Sequence, residues 1–82
     1  MGATITVYGA DWCGDCIRAK RFLDRTGTAY EWVDVDEVAG AAQEAQRISG
    51  RKNIPVVVLP SGEFLVEPTD PELEAALTRP AG

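Results

Sequence analysis

Two cysteines, separated by two residues, lie where a predicted strand gives way to a predicted helix. Residues 4–8, Thr-Ile-Thr-Val-Tyr, are rich in β-branched and aromatic side chains and predict the strand. Cys13 and Cys16 follow it, and apolar residues then recur at helical spacing to about Thr26. A Cys-x-x-Cys motif at a strand-to-helix junction inside a βαβ pattern is typical of a redox centre.

The composition excludes several other classes of function. The 82 residues include no histidine and no cysteine beyond this pair. A histidine-dependent triad or general base is therefore excluded, and so is an intramolecular zinc site of four thiolates or of two thiolates and two imidazoles. Eight basic against thirteen acidic residues give a net charge of −5, which argues against nucleic-acid binding. We predict no resident metal and no permanently bound cofactor.

The chain shows no sign of a membrane or export segment. Its longest stretches without a charged side chain have ten residues, residues 1–10 and 53–62, whereas a membrane span needs about 20 apolar residues. No signal-peptide pattern precedes the first strand. We therefore expect a cytoplasmic protein, in which a cysteine pair is more often catalytic than structural.

The predicted elements follow one another as β-α-β-α-β-β-α. The strands cover residues 4–8, 29–35, 55–59 and 63–66, and the helices run from the cysteine motif to about 26, from a cap at Asp36 to Gly50, and from about 70 to 78. A parallel βαβ unit followed by an antiparallel hairpin predicts a four-stranded mixed sheet flanked by three helices. We expect a single α/β domain over residues 1–82, with 79–82 as a frayed tail.

The starts of the last two helices rest on different signals. An apolar stripe from Val38 to Ile48 follows Asp36, which can act as an N-cap for the second helix. For the third helix, Thr69 and Glu72 fit a capping box, whereas Asp70-Pro71 fits an N-cap followed by proline. Both registers of the third helix stay open at this stage.

The position of the cysteines suggests which of them reacts first. Unpaired N–H groups and the positive dipole end at a helix N-terminus stabilise an anion, and Cys13 gains most from them. Cys16 lies about one turn further on, where it can attack a mixed disulfide formed at Cys13. Gly14 is expected to allow the tight bend and to leave the first sulfur open to a partner.

Charged residues near the motif have two interpretations each. Asp11 and Asp15 flank the nucleophile, where negative charge disfavours a thiolate. Asp15 either lies in solvent as a first-turn acid that complements the helix dipole or helps to choose a basic partner. Arg51 and Lys52 either form a solvated turn or balance this charge and bind a carboxylate of the partner.

The chain resembles glutaredoxins of the thioredoxin-like fold over residues 4–77. The similarity is to the small class that includes mycoredoxins and the glutaredoxin-like hydrogen donors of ribonucleotide reductase. It is carried by Val7-Tyr8, Trp12-Cys13-Gly14-Asp15-Cys16, Ala19-Lys20, Val33-Asp34-Val35-Asp36 and Ile54-Pro55-Val56.

The resemblance implies how a partner would bind. It implies that Pro55 is cis and packs against the active-site disulfide. It also implies that the backbone of Ile54 pairs with the cysteinyl part of a bound thiol or with an extended partner segment. A proline that starts a strand with a trans bond is the alternative. Trp12 resembles the exposed tryptophan of thioredoxins, on which partners stack.

Three departures from typical glutaredoxins bear on the thiol. Gly14-Asp15 replaces Pro-Tyr, Ala10 replaces a lysine common in glutathione users, and Val66-Glu67 replaces a Gly-Gly pair. These changes resemble mycoredoxins and favour mycothiol over glutathione as the low-molecular-weight co-substrate. Thr69 and Asp70 match the polar pair that holds the far end of the thiol in glutaredoxins, although both also fit as helix caps.

We therefore expect a monomeric glutaredoxin-type dithiol–disulfide oxidoreductase. It would reduce mixed disulfides between a low-molecular-weight thiol and protein cysteines, or protein disulfides. One alternative is a hydrogen donor to ribonucleotide reductase that a flavin-containing thioredoxin reductase recharges, and the Trp12-Cys13-Gly14 sequence supports it. An alternative of another class is a non-enzymatic carrier in which two chains and external thiols hold an iron–sulfur cluster.

Overall fold

The computed structural model describes residues 4–78, and the predicted frayed tail at 79–82 lies outside them. Seven elements occur in the predicted order. They are β1 (Ile5–Gly9), α1 (Gly14–Arg25), β2 (Tyr30–Asp34), α2 (Ala41–Ser49), β3 (Val56–Val58), β4 (Phe64–Val66) and α3 (Asp70–Thr78). None of the helices described is long and apolar enough to cross a membrane.

The four strands form one mixed sheet in the order β2-β1-β3-β4. β1 pairs in parallel with β2 and antiparallel with β3, and β3 pairs antiparallel with β4. Val7 at the centre of β1 lies opposite Trp32 on one side and Val57 on the other. The predicted architecture of a thioredoxin-like mixed sheet with three helices is confirmed.

Helices cover both faces of the sheet. The main core lies between the sheet and the α1 and α3 helices, and it consists of Ile5, Val7, Ala19, Phe22, Leu23, Val57, Leu59 and Leu73. α2 contacts β1 and β4 and buries Ala41 and Ala45 outside that cluster. Val56 and Val57 are both fully buried, because the alternate side chains of β3 face opposite layers.

The second helix begins later than the sequence predicts, and the cap assigned to Asp36 is wrong. α2 starts at Ala41, after Gly40 in a left-handed conformation with φ 81°. The carboxylate of Asp34 instead accepts hydrogen bonds from the backbone N–H groups of Asp36, at 2.8 Å, and Glu37, at 3.2 Å. This Asx turn satisfies the backbone without a helix, so the apolar stripe loses Val38, which is 49% exposed.

The third helix begins with a capping box at Thr69. The Thr69 backbone N–H donates to Glu72 Oε1 at 2.8 Å, and the Glu72 backbone N–H donates to Thr69 Oγ1 at 3.2 Å. Asp70 is the first residue of α3, and Pro71 follows it inside the first turn. The structure thus decides between the two registers that the sequence left open.

Replacing Thr69 by alanine should destabilise the protein, because the Glu72 N–H then loses its side-chain acceptor. We expect the free energy of unfolding to fall by about 1 kcal/mol, a typical value for an N-cap. Urea unfolding of Thr69→Ala measures it, and Thr69→Ser, which keeps the hydroxyl, should stay close to wild type. Equal stability of the alanine and serine variants would contradict the capping box.

Candidate active site

The junction between β1 and α1 places Cys13 at the N-cap of the helix. Its backbone is extended, with φ −93° and ψ 116°, and its carbonyl accepts the first helical hydrogen bond from Ile17 N at 3.0 Å. Its own N–H donates to the Ala10 carbonyl at 3.2 Å. The side chain is partly exposed and makes no capping hydrogen bond. The thiol therefore lies at the positive end of the helix dipole and within reach of a partner.

Cys16 lies in the first turn of α1 and is fully buried. Burial, followed by a hydrogen bond with Cys13, raises the pKa of its thiol from 9.0 to about 12. Both cysteines are free thiols. At neutral pH Cys16 is therefore protonated and hidden, whereas Cys13 is accessible.

Gly9 makes the burial of Cys16 possible, and sequence reasoning missed this role. A Cβ at Gly9 would lie 2.8 Å from Trp32 Cη2 and 3.0 Å from Cys16 Sγ. Since real Cβ atoms essentially never come as close as 2.8 Å to such a neighbour, a side chain at this position would force Trp32 or Cys16 to move. A glycine at the end of a buried strand, four residues before Cys13, was the available signal for a close approach.

Of the two roles predicted for Gly14, the one in the bend is wrong. Its φ is not among the positive values of the chain, so the bend into α1 does not require glycine. A Cβ there would meet no atom within 4 Å. What the residue provides is open space next to Cys13, as expected for a sulfur that a partner must approach.

The Ile54–Pro55 peptide bond is cis, as the resemblance implies. Pro55 is buried, and the Ile54 carbonyl lies 3.9 Å from Cys13 Sγ. Among residues 4–78, no acceptor is found for the Ile54 backbone N–H. The fold thus brings a backbone segment with free hydrogen-bonding capacity next to a thiol that is 41 positions away in the sequence.

An acidic rim adjoins the motif on the side of Trp12. The Trp12 side chain is 72% exposed, and its Nε1 donates to Asp36 Oδ2 at 2.6 Å. Asp11, Asp34 and Glu37 bring carboxylate oxygens within 4.8 Å of one another. The indole ring of Trp12 is thus held at a surface where several negative charges lie close together.

Arg18 connects the cysteine helix to the start of α3. Its guanidinium donates to Asp70 Oδ1 at 2.8 Å and to the Pro68 carbonyl at 2.9 Å, and it lies 3.6 Å from Asp15 Oδ1. Arg25 also approaches Asp70, at 3.8 Å. The sequence offered no local signal for Arg18, because its main partner is 52 residues away.

The other predicted binding residues occupy two separate places. Thr69 caps the start of α3, and the neighbouring Asp70 binds Arg18, which connects this end of α3 to α1. Arg51 and Lys52 are exposed and form no ion pair with any residue of the described range. The ion-pair partner of Asp15 in this range is Arg18, rather than either of these cations.

A shallow cavity lies beyond the 51–53 connection, at the β4 edge of the sheet. It has a volume of about 310 Å³. Its lining consists of Ser49, Arg51, Phe64, Leu65, Val66 and Glu72. Arg51 thus borders this cavity, and neither cysteine does.

Comparison with known proteins adds family information to this geometry. The glutaredoxin family profile matches residues 5–65. A protein named as a glutaredoxin in Mycobacterium tuberculosis is 33% identical over 81 residues, which cover 98% of this chain and 96% of that protein. The glutaredoxin-like protein NrdH of Escherichia coli is 39% identical over 54 residues, which cover 66% of this chain and 65% of that protein. The crystal structure of a glutaredoxin from Archaeoglobus fulgidus superposes with a TM-score of 0.84 at 26% identity, over 94% of this chain and 88% of that one.

Adding a methyl group at Gly9 should disturb the packing of Cys16. We expect Gly9→Ala to lower the free energy of unfolding by about 1–3 kcal/mol, as for an overpacked core site. Gly14→Ala is the matched control, because its Cβ would meet nothing within 4 Å. Urea unfolding of both reduced proteins measures the difference, and equal stabilities would refute the close contact.

The two thiols should differ sharply in reactivity. At pH 7.5 we expect iodoacetamide to modify Cys13 alone in the native reduced protein, because Cys16 is buried and its pKa is about 12. In urea both cysteines should react. Timed quenching followed by peptide mass analysis gives the two rates, and equal rates for the native protein would contradict the asymmetry.

Proposed function

The chain belongs to the glutaredoxin family of thiol–disulfide oxidoreductases, and on this premise we propose that Cys13 is its attacking nucleophile and Cys16 its resolving thiol. Proteins of this family act on small thiols and on disulfide-containing proteins. The observation that supports the assignment is the contrast between the two thiols. Cys13 is accessible at a helix N-terminus, while Cys16 is buried with a raised pKa.

The proposed reaction proceeds in two displacements. The Cys13 thiolate attacks the small-thiol sulfur of a mixed disulfide, so that a Cys13–thiol disulfide forms and the target cysteine leaves as a thiolate that takes up a proton. Cys16 then loses its proton and attacks the Cys13 sulfur, which releases the small thiol and leaves a Cys13–Cys16 disulfide. The protein has then given up two electrons, which an external thiol or a reductase must return.

The surface around Cys13 supports binding of an extended substrate. The carbonyl of Ile54 lies 3.9 Å from the Cys13 sulfur, and the N–H of the same residue has no acceptor within residues 4–78. An extended segment that carries the reacting sulfur can pair with both groups of this backbone. Trp12, next to Cys13 in the sequence, offers an exposed ring, and its hydrogen bond to Asp36 holds that ring in place.

Mycothiol is the co-substrate we favour over glutathione. Ala10, at the position of the lysine found in glutathione users, is fully buried and offers no cation for a glutathione carboxylate. Glu67 adds an exposed carboxylate where a Gly-Gly pair would leave space. Mycothiol carries no carboxylate, so neither feature opposes it. Thr69 and Asp70 are the candidate contacts for the far end of the thiol.

A second candidate is a hydrogen donor to ribonucleotide reductase that a flavin-containing reductase recharges. The 39% identity to the glutaredoxin-like protein NrdH over 54 residues supports this candidate. The exposed Trp12 next to the nucleophile also fits a protein partner better than a small thiol. In this version Arg51 and Lys52 would bind acidic groups of the partner protein.

Trapping tests the proposed roles of the cysteines. We expect Cys13→Ser to lower disulfide reductase activity by more than about 1,000-fold, because the nucleophile is lost. Cys16→Ser should stop the reaction after the first displacement and accumulate a mixed disulfide at Cys13. Intact activity in Cys13→Ser would refute the central proposal. The variant that combines Cys13→Ser with Cys16→Ser controls for reactions of other thiols in the extract.

The adduct identifies the physiological partner. Mass analysis of Cys16→Ser from cell extract should show mycothiol on Cys13. A glutathione adduct would overturn the preference for mycothiol while leaving the cysteine roles intact. Adducts with a reductase or with other proteins alone would favour the second candidate.

A further inference from the structure

Glu67 holds an unusual backbone conformation. Within residues 4–78 it is the one non-glycine residue with a positive φ, at 50°. This left-handed region favours glycine, because a Cβ crowds the backbone there. Conformations of this kind in a non-glycine residue concentrate at functional sites. A side chain kept at such a position therefore points to a use for the side chain itself.

The Glu67 backbone is anchored beside the thiol site. Its N–H donates to the Pro55 carbonyl at 2.9 Å. The residue before that proline, Ile54, has its carbonyl 3.9 Å from Cys13 Sγ. A co-substrate joined to the Cys13 sulfur and paired with Ile54 would therefore contact the residue next to the one that binds the Glu67 backbone.

The Glu67 side chain links residues 67–70 to residues 51–54, and we call the surface along these two segments the thiol groove. The side chain is exposed, and Oε1 accepts a hydrogen bond from Asn53 Nδ2 at 3.1 Å. This partner is neutral, and none of the ion pairs within the described residues includes Glu67. Glu67 thus carries a negative charge with no cation in direct contact among the described residues, and the exposed cations Arg51 and Lys52 on the facing segment form no ion pair with it.

We infer that Glu67 is a specificity-determining residue that disfavours thiols carrying carboxylates in the groove and favours thiols that are neutral there. This inference deepens the proposed function and rests on it, because the thiol reaches the groove only when its sulfur reacts at Cys13. Two like charges about 4 Å apart in water repel enough to change a rate about fivefold, and more where the surface excludes water. Salt weakens the effect.

Paired probes isolate this charge. One cysteine-containing peptide is converted to a mixed disulfide with glutathione, which carries two carboxylates, and to one with glutathione dimethyl ester, which carries none. Single-turnover release of the peptide thiol by the reduced protein gives an ester-to-acid rate ratio. We expect Glu67→Gln to lower this ratio about fivefold or more at low salt. We also expect 0.5 M NaCl to reduce the difference between the two proteins.

Two further variants separate charge from shape. Glu74→Gln removes an equal charge from an exposed position on α3 and should leave the ratio unchanged. Glu67→Gly should lower the ratio as Glu67→Gln does, and it should also raise the melting temperature, because glycine relieves the left-handed strain. A ratio that changes in Glu67→Gly but stays the same in Glu67→Gln would overturn the electrostatic inference.

The same experiment distinguishes failure of this inference from failure of the proposed function. If the wild-type protein releases no peptide thiol from either probe, the proposed reaction at Cys13 is wrong. If both probes react and Glu67→Gln leaves the ratio unchanged, the role of Glu67 is wrong and the reaction at Cys13 stands.

Discussion

The close packing of Cys16 against the end of β1 is the contact on which the site depends. Gly9 has no side chain, so the Cys16 sulfur and the Trp32 ring can both approach the strand. This contact seats the first turn of α1 on the sheet and buries one thiol completely. Cys13, three residues earlier, is then left at the helix N-cap, partly exposed and next to the Ile54 carbonyl. The difference in exposure between the two thiols thus depends on the absence of a side chain at Gly9.

Because the chain has no histidine, the charges around the cysteine motif come only from carboxylates, lysines, arginines and the helix N-terminus. The helix N-terminus is the favourable element for negative charge on Cys13. Arg18 pairs with Asp15 and Asp70, so two carboxylates near the cysteine helix have a cation in direct contact. The carboxylates beside Trp12, and Glu67 in the thiol groove, have no such partner in the described chain. The carboxylates near the thiol are thus distributed unevenly between those paired with a cation and those that are not.

Local sequence patterns predicted a secondary-structure element correctly where the residues involved favour a single conformation. The strand-to-helix position of Cys13 follows from a β-branched run before it and helical spacing after it. The same logic failed at α2, because the spacing of Val38 fits a helix while the Asx turn of Asp34 satisfies the backbone without one. It also misjudged the bend at Gly14, since a glycine in a motif does not reveal whether its backbone freedom or its small size is used. Sequence spacing reports periodicity, and it does not report competing hydrogen bonds.

By itself, the sequence determined the order of the elements, the mixed sheet and the location of a redox-capable cysteine pair at a helix N-terminus. These features depend on local spacing and composition, which can be taken directly from neighbouring residues in the sequence. The tertiary structure alone decided which groups surround that pair. The contact of Arg18 with Asp70 spans 52 positions, and that of Cys13 with Ile54 spans 41. The left-handed backbone of Glu67 likewise has no local sequence signal. Such contacts arise only when distant segments pack together, so no local pattern encodes them.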